Sequence, residues 1–393
     1  MPHIRLTTFE IPTLPIEAEG VSFTNIFKND YKDPDYLVKC LYKEKAFFIW
    51  IKPSEGGYLL KAEKATRPTV NYYLQHALKT FAQLTKGTIL SSNIPDTLKT
   101  VHLDEEAGVL KTIHFFTQNF PLEKPLVIEV GFGSGRHLLY QAQKNPDKLY
   151  IGIEIHQPSI EQVIKQISIL GIKNILLLNY DARLFMEFVP SNIVQQIFVH
   201  FPVPWDKKPI RRVISTAFIK ESVRVLDPKG TLELRTDSEN YFTYALETFL
   251  EANQLDINVK KNLDIPISSK YEARWKRQEK NIYDIHMLGL VESAPLELHG
   301  DFDFKDVTLT RQKVQEIAGT TIKTDKGFIH FERHYMAPDG TKMLRLSMGS
   351  FERPEHLYLQ IVGESKLAYF PAHPIYSQAN LIMHQELLKA LHG

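Results

Sequence analysis

Short apolar runs alternate with helix-length stretches through the middle of the chain, from about residue 125 to residue 253. The apolar runs stop at glycines or polar residues and are too short for helices, which is typical of buried parallel strands. These runs are residues 126–130, 150–153, 175–178, 193–201 and 231–234. The helix-length stretches are residues 134–144, 158–170, 209–226 and 239–253. The alternation predicts a doubly wound α/β domain whose ligands lie at the carboxyl ends of the strands.

The two flanking regions have a strand-rich pattern. Residues 46–51 and 58–60 are apolar on either side of a glycine-containing loop, which predicts a hairpin, and a helix is expected over 70–84. Pro338-Asp339-Gly340 predicts a turn between two later strands, and a last helix is expected over 378–391. We therefore expect a strand-rich N-terminal domain at 1–117, the α/β domain at 118–290 and a strand-rich C-terminal domain with a terminal helix at 291–393.

Composition narrows the class of protein. The net charge of the 393 residues is +1, so any surface that attracts nucleic acid must be local. Cys40 is the only cysteine, which excludes an internal disulfide and a cysteine-ligated metal cluster. The first residues lack the apolar core of a signal peptide and no apolar run is long enough for a bilayer, so we expect a cytoplasmic protein without membrane contact. No metal site is predicted.

The first candidate site follows the strand at 126–130. Gly131, Gly133 and Gly135 alternate with other residues before a predicted helix, and glycine permits the tight turn and the close approach of a ligand. Dinucleotide-binding turns of the form G-x-G-x-x-G seat a pyrophosphate, but Arg136 occupies the sixth place here. Glu129, just before the turn, would also repel a phosphate. The turn therefore favours a ligand that is not phosphorylated.

Two further acids follow the next strands. Glu154 ends the second strand, where a carboxylate can accept hydrogen bonds from both ribose hydroxyls, and Asp181 follows the third, where it can accept from an adenine amino group. Together with Glu129 they describe a nucleoside ligand that carries a positive charge. S-adenosylmethionine fits this description, so the predicted cofactor site comprises Glu129, Gly131, Gly133, Gly135, Glu154 and Asp181.

Several motifs resemble the bacterial tRNA (guanine-N7)-methyltransferases. They are Glu129–Gly135, Gly152–His156, the Pro-x-Pro-Trp-x-Lys turn at 202–207, Thr236-Asp237 and Ser269-Lys270-Tyr271-Glu272. The resemblance covers about residues 122–286 and leaves both flanks unexplained. It implies a Rossmann-like class I methyltransferase domain, S-adenosylmethionine as cofactor and tRNA as substrate. The implied reaction is methylation of N7 of guanine 46 in the variable loop, giving 7-methylguanosine.

The same resemblance assigns substrate roles to matching positions. It implies that Lys207 and Asp237 bind tRNA and that Ser269, Lys270, Tyr271 and Glu272 complete the guanine pocket, with serine where the family usually has threonine. The family carries an aspartate between the two prolines of the turn, and Val203 stands in that place here. No catalytic role can therefore be transferred to position 203.

The reaction itself does not require that acid. Guanine N7 carries an in-plane lone pair and no proton, so the enzyme has to position the base and stabilise the charge that develops on it. Asp237 is the candidate that would grip the guanine N1–H and amino group, with a helix N-cap as its alternative role. Asp206, just past the turn, is a second candidate for the missing charge, with an exposed turn residue as its alternative.

Basic residues cluster in two places that would contact phosphates. The first cluster is Lys207, Lys208, Arg211 and Arg212, and the second is Lys270, Arg274, Lys276, Arg277 and Lys280. Three functions remain open: the tRNA (guanine-N7)-methyltransferase, a methyltransferase of another RNA, and a non-catalytic tRNA-binding protein with a relic cofactor pocket. The sequence does not decide between a monomer and a homodimer.

Overall fold

The computed structural model describes residues 2–30, 32, 34–98, 108–118, 120–252, 254, 256–264, 280–351 and 353–392. The chain forms two compact units. One comprises Leu103–Glu297, and the other comprises Met1–His102 together with Leu298–Gly393. In the part of the chain that is described, no helix has the length and apolar character needed to cross a bilayer.

The strands and helices are numbered in chain order. The strands are β1 (His3–Leu6), β2 (Ile16–Ala18), β3 (Val21–Lys28), β4 (Tyr36–Tyr42), β5 (Lys45–Ser54), β6 (Gly57–Ala62), β7 (Ile89–Ser92), β8 (Leu110–Lys111), β9 (Leu126–Val130), β10 (Leu149–Ile153), β11 (Ile175–Leu178), β12 (Val194–His200), β13 (Leu226–Thr236), β14 (Asp256–Lys261), β15 (Tyr283–Leu288), β16 (Thr321–Lys323), β17 (Phe328–Met336), β18 (Lys342–Gly349), β19 (Pro354–Val362) and β20 (Lys366–Phe370). The helices are α1 (Asn71–Leu84), α2 (Ile113–Gln118), α3 (Arg136–Lys144), α4 (Gln157–Leu170), α5 (Ala182–Met186), α6 (Thr216–Val225), α7 (Glu239–Leu250), α8 (Arg311–Ile317) and α9 (Gln378–His392).

The central unit is built on one sheet with the order β14-β15-β13-β12-β9-β10-β11-β8. Strands β8 to β13 pair in parallel, and β15 is antiparallel to both β13 and β14. The strand order reverses at β9, which lies between β10 and β12. Such a reversal opens a crevice at the carboxyl ends of the strands, where ligands bind in open α/β sheets. The predicted doubly wound sheet is confirmed, and β9 marks its switch point.

The four predicted helix-length stretches correspond to α3, α4, α6 and α7, whereas the short helices α2 and α5 were not predicted. Helix α4 ends at Gly171, whose left-handed backbone (φ 66°) closes the helix as the sequence indicates. The helix expected from residue 209 begins only at Thr216. Ser215 caps it by accepting a hydrogen bond from the Phe218 amide, and residues 209–211 form a separate 3₁₀ turn. Ser215 lies inside the stretch that was predicted as one helix, and as the N-cap it determines where the helix begins.

The two flanking regions form a single unit around one twelve-stranded sheet. Its main path runs β20-β19-β18-β17-β3-β4-β5-β6-β1-β7, so strands from both ends of the chain share it. Met336 of β17 pairs with Lys28 of β3 where the two halves join. The sequence predicts two flanking domains, whereas the structure groups them as one unit. Pairing between strands separated by a whole inserted domain leaves no signal in local periodicity. The predicted β5–β6 hairpin is present.

Candidate active site

The glycine turn leaves β9 at its carboxyl end and leads into helix α3. Gly131, Gly133 and Gly135 have φ angles of 71°, 52° and 73°, a region that side chains disfavour. At Gly135 a side chain is also excluded by packing, because a Cβ there would lie 2.4 Å from Cγ2 of Val163. The Gly131 amide donates to the Ile153 carbonyl at 2.7 Å, which fixes the turn beside β10.

Glu154 holds this turn from the end of the neighbouring strand. Its Oε2 accepts a hydrogen bond from the Gly133 amide at 3.0 Å, and its Oε1 accepts from the amides of Ile155 and His156, both at 2.8 Å. The residue is 8% exposed. A carboxylate has about four acceptor sites, so three bonds leave capacity for a ligand hydroxyl. The predicted ribose-binding acid therefore also shapes the glycine turn.

Glu129 lies on β9 and is buried. Its Oε2 is 2.8 Å from Nδ1 of His137, which belongs to the first turn of helix α3. Nε2 of the same histidine lies 3.1 Å from Nε2 of Gln141. The carboxylate that the sequence assigns to the cofactor is thus already oriented by a protein partner.

Asp181 follows β11 and begins helix α5. Its Oδ1 accepts from the Arg183 amide at 3.0 Å as an N-cap, and Oδ2 accepts from Nη2 of Arg183 at 2.9 Å. The side chain therefore has a structural role beside its predicted contact with adenine. Because β9, β10 and β11 are neighbours, the structure brings all three predicted acids to one edge of the sheet.

Asp237 directly follows β13, at the same edge of the sheet. The adjacent Ser238 caps helix α7 by accepting from the Tyr241 amide at 3.2 Å, so the capping role weighed for Asp237 belongs to Ser238. Oδ2 of Asp237 lies 3.3 Å from Nζ of Lys280, and its side chain is 21% exposed. The carboxylate is consequently held at the rim, with Lys280 as a charged partner.

The proline–tryptophan turn follows β12 and is fastened to the neighbouring strand. The Phe201 amide donates to the Arg235 carbonyl of β13 at 2.7 Å, and Nε of Arg212 donates to the Pro204 carbonyl at 2.8 Å. Phe201 and Trp205 both have positive φ angles, 50° and 46°. This strained backbone is held by its hydrogen bonds at the strand ends, as is common at functional sites.

Three residues of this turn are exposed, whereas its two prolines are half-buried. Val203 is 59% exposed, and Lys207 is also exposed. Asp206 pairs with Arg212, with Oδ1 3.4 Å from Nη2. Asp206 is therefore an exposed acid with a cationic partner, and its proposed catalytic role stays a prediction.

Curated relatives align with almost the whole chain. A Wolinella succinogenes protein named tRNA (guanine-N(7)-)-methyltransferase is 41% identical over 396 residues, which cover 98% of this chain and 99% of the relative. Proteins of the same name from Campylobacter jejuni and Helicobacter hepaticus are 38% and 36% identical, with 98% and 99% of each relative covered. The chain belongs to this family.

The comparisons bear on the fold of the central domain and on the two flanking regions. The profile of a family described as putative methyltransferase matches residues 123–285, close to the span of the resemblance found in the sequence. This profile match and the strand order of the sheet together confirm a Rossmann-like class I methyltransferase fold. The long alignments also include both flanking regions, so these relatives share the parts of the chain that the motifs leave unexplained.

Val203, which stands where the family carries an aspartate, can be tested by restoring the acid. We expect Val203→Asp to preserve or raise methyl transfer, because the exposed turn can accept a carboxylate without burying it. Unfolding free energy should change by no more than about 0.5 kcal/mol, as for other surface substitutions. Initial rates and denaturant unfolding of both proteins would check this. A folded variant with strongly reduced transfer would contradict the placement of the turn at the site.

The predicted guanine-pocket element lies outside the described residues. Ser269, Lys270, Tyr271 and Glu272 fall within 265–279, as do the basic residues Arg274, Lys276 and Arg277. Lys280 is the one member of that cluster within the described ranges, and it pairs with Asp237. The assignments of the other residues stay predictions.

Sequence reasoning missed His137, the partner of Glu129. A histidine two residues past a glycine turn has no distinctive spacing, and only its position in the first turn of the following helix could have drawn attention to it. Burial acts to lower the pKa of His137, but the charge and hydrogen bond of Glu129 outweigh it and raise the pKa above its usual value. The pair is therefore favoured as an ion pair.

This raised pKa predicts how stability depends on pH. A histidine with a higher pKa in the folded state stabilises the protein below its unfolded pKa of about 6.5 and loses that contribution as pH rises through the folded pKa. His137→Asn should therefore destabilise the protein more at about pH 6 than at about pH 9. Denaturant unfolding at both pH values would measure this, with the exposed His156→Asn as control. An equal loss at both pH values would contradict the ion pair.

Proposed function

We propose that this chain transfers the methyl group of S-adenosylmethionine to N7 of guanine 46 in the variable loop of tRNA, in the cytoplasm. The observation that carries the proposal is the 41% identity, over nearly the full length of both chains, to a protein named for this reaction. The arrangement of acids around the glycine turn gives it a physical basis.

The residues at the turn fit the cofactor. Glycines with positive φ allow backbone to approach a ligand, and the acids at the strand ends suit a cationic nucleoside better than a phosphate. Glu154 would accept from the ribose hydroxyls, Asp181 from the adenine amino group, and Glu129, oriented by His137, would face the methionine part. When bound, S-adenosylmethionine supplies a methyl group activated by a sulfonium.

On the substrate side, the protein has to position the guanine base for attack by N7. N7 needs no base to expose its lone pair, so in-line placement supplies much of the rate. Asp237 would accept hydrogen bonds from guanine N1–H and the amino group, which orients N7 and places negative charge near a ring that becomes cationic. This role requires the guanine edge to share or replace the contact between Asp237 and Lys280.

Surface cations would hold the tRNA backbone at the same rim. Lys207, Lys208 and Arg211 are exposed just past the proline–tryptophan turn, and Arg211 lies over the Trp205 ring at 5.0 Å. Lysine and arginine contacts of this kind release counterions from the nucleic acid, so affinity should fall steeply as salt rises.

The test uses two tRNA transcripts that differ only at position 46. We expect labelled methyl groups to enter a transcript with guanine there and not a transcript with adenine. Cofactor binding, measured separately, should be the same in both reactions. Equal incorporation into the two transcripts would instead indicate another target nucleotide.

A further inference from the structure

Polar side chains occupy alternate positions on one face of the apolar strands β12, β13 and β15. The pairing register places Glu233 opposite His286 and Arg235 opposite Asp284, with His200 beside Arg235 on the other neighbouring strand. Arg235 and Asp284 are 1% and 0% exposed. The charged cluster is thus built into the sheet itself and does not lie on a solvated surface.

Three of these side chains converge on one point. Glu233, Asp284 and His286 each offer one oxygen or nitrogen atom, and these atoms all lie within 4.8 Å of one another. Two carboxylates and an imidazole on paired strands form a donor set that suits a first-row divalent transition metal. Glu233 lies opposite His286 in the antiparallel ladder and diagonal to Asp284, which keeps the three donors close.

Each carboxylate uses one oxygen for a neighbouring protein donor. Oε1 of Glu233 is 2.8 Å from Nε2 of His200, and Oδ1 of Asp284 accepts from Nη1 of Arg235 at 2.7 Å. The second oxygen of Glu233 lies 3.6 Å from Nδ1 of His286. This is the pattern of metal-binding carboxylates, whose outer oxygens are oriented by hydrogen bonds from a surrounding shell.

The second oxygen of Asp284 is the independent sign of a ligand. Oδ2 is buried and accepts no hydrogen bond from any residue that the structure describes. Nε2 of His286 is likewise buried and without a hydrogen bond within the described ranges. A buried carboxylate oxygen without a partner is costly, and a cation at the convergence point would satisfy it.

We propose that Glu233, Asp284 and His286 bind one divalent transition-metal ion, with His200 and Arg235 as its outer shell. The ion would tie β13 to β15 next to the strand ends that carry Asp237 and Lys280. Its role would be structural, because it would cross-link two paired strands of the sheet. The proposal does not depend on the methyl-transfer assignment, because the site is defined by its own residues.

The test measures metal in the full-length, tag-free protein. After incubation with Zn²⁺ and dialysis, we expect about one equivalent per chain by elemental analysis, as for a single site. Glu233→Gln and His286→Gln should lose it, and Asp256→Asn, an exposed acid on the adjacent strand β14, should retain it. Absence of zinc from the wild-type protein, or zinc retained in both site variants, would overturn the proposal.

A measurement on the wild-type protein keeps the test decisive if a site variant does not fold. Co²⁺ bound by two carboxylates and an imidazole should give visible absorption that saturates at about one equivalent. His200→Gln should weaken Co²⁺ binding about 10- to 100-fold, the usual effect of removing an outer-shell partner. Wild-type protein without saturable absorption, or equal affinity in His200→Gln, would exclude the site.

Discussion

Asp237→Asn is expected to lower kcat/KM for tRNA by about 10²–10³-fold, the usual cost of removing one charge-stabilising group from an active site. The substitution keeps the size of the side chain and removes its charge. Cofactor affinity should be unchanged, because Asp237 follows β13 while the glycine turn follows β9. Steady-state kinetics with a tRNA transcript and a separate cofactor titration would measure the two quantities.

Two matched variants sharpen this test. Glu239→Gln alters an exposed acid two residues away, in the first turn of α7, and should have little effect. Lys280→Met removes the observed partner of Asp237 and should reduce kcat much less than Asp237→Asn does. An equal loss of kcat in Asp237→Asn and Lys280→Met would mean that the ion pair between these residues, and not contact with guanine, explains the effect. Parallel loss of cofactor affinity in Asp237→Asn would contradict its assignment to the substrate.

Glu154→Gln is expected to weaken cofactor binding about 10- to 100-fold, which corresponds to about 1.5–3 kcal/mol for a hydrogen bond to a charged group. The carboxylate is predicted to accept from the ribose and already accepts from the Gly133 amide. Glutamine replaces one acceptor oxygen with a donor. If its remaining oxygen keeps the bonds from the Ile155 and His156 amides, the Gly133 amide and the ribose lose their acceptor. Calorimetric titration with S-adenosylmethionine would measure the change.

The control for Glu154 lies at the other end of the same strand. Asp147 is an exposed acid just before β10, and Asp147→Asn should bind the cofactor like the wild-type protein. Unfolding of all three proteins should be compared, because the orphaned Gly133 amide is expected to cost stability as well. Unchanged cofactor affinity in a folded Glu154→Gln protein would show that the acid only braces the turn.

The sequence predicted the α/β core well because its determinants are local. The apolar runs that became β9 to β13 are bounded by glycines and polar residues, and Gly171 ends α4 as expected. The acids at the strand ends followed from the same pattern, since parallel strands bring their carboxyl ends to one edge. Periodicity and turn chemistry therefore sufficed to predict that the candidate residues lie at one edge of the sheet.

The features that escaped prediction depend on pairing between distant segments. The link between β3 and β17 joins strands about 300 positions apart, and the convergence of Glu233 with Asp284 and His286 exists only through the register of β13 and β15. The contact between Glu129 and His137 spans only 8 positions and escaped prediction for another reason, because the first turn of the helix that carries His137 could have faced several ways. Local patterns carry no information about such contacts.

The most direct measurement identifies the product. Purified protein, an unmodified tRNA transcript and labelled S-adenosylmethionine are incubated, and the tRNA is digested to nucleosides for mass spectrometry. The proposed function predicts 7-methylguanosine as the labelled nucleoside, made without an acid at position 203. Bound cofactor with no labelled nucleoside, or label in a different nucleoside, would contradict it.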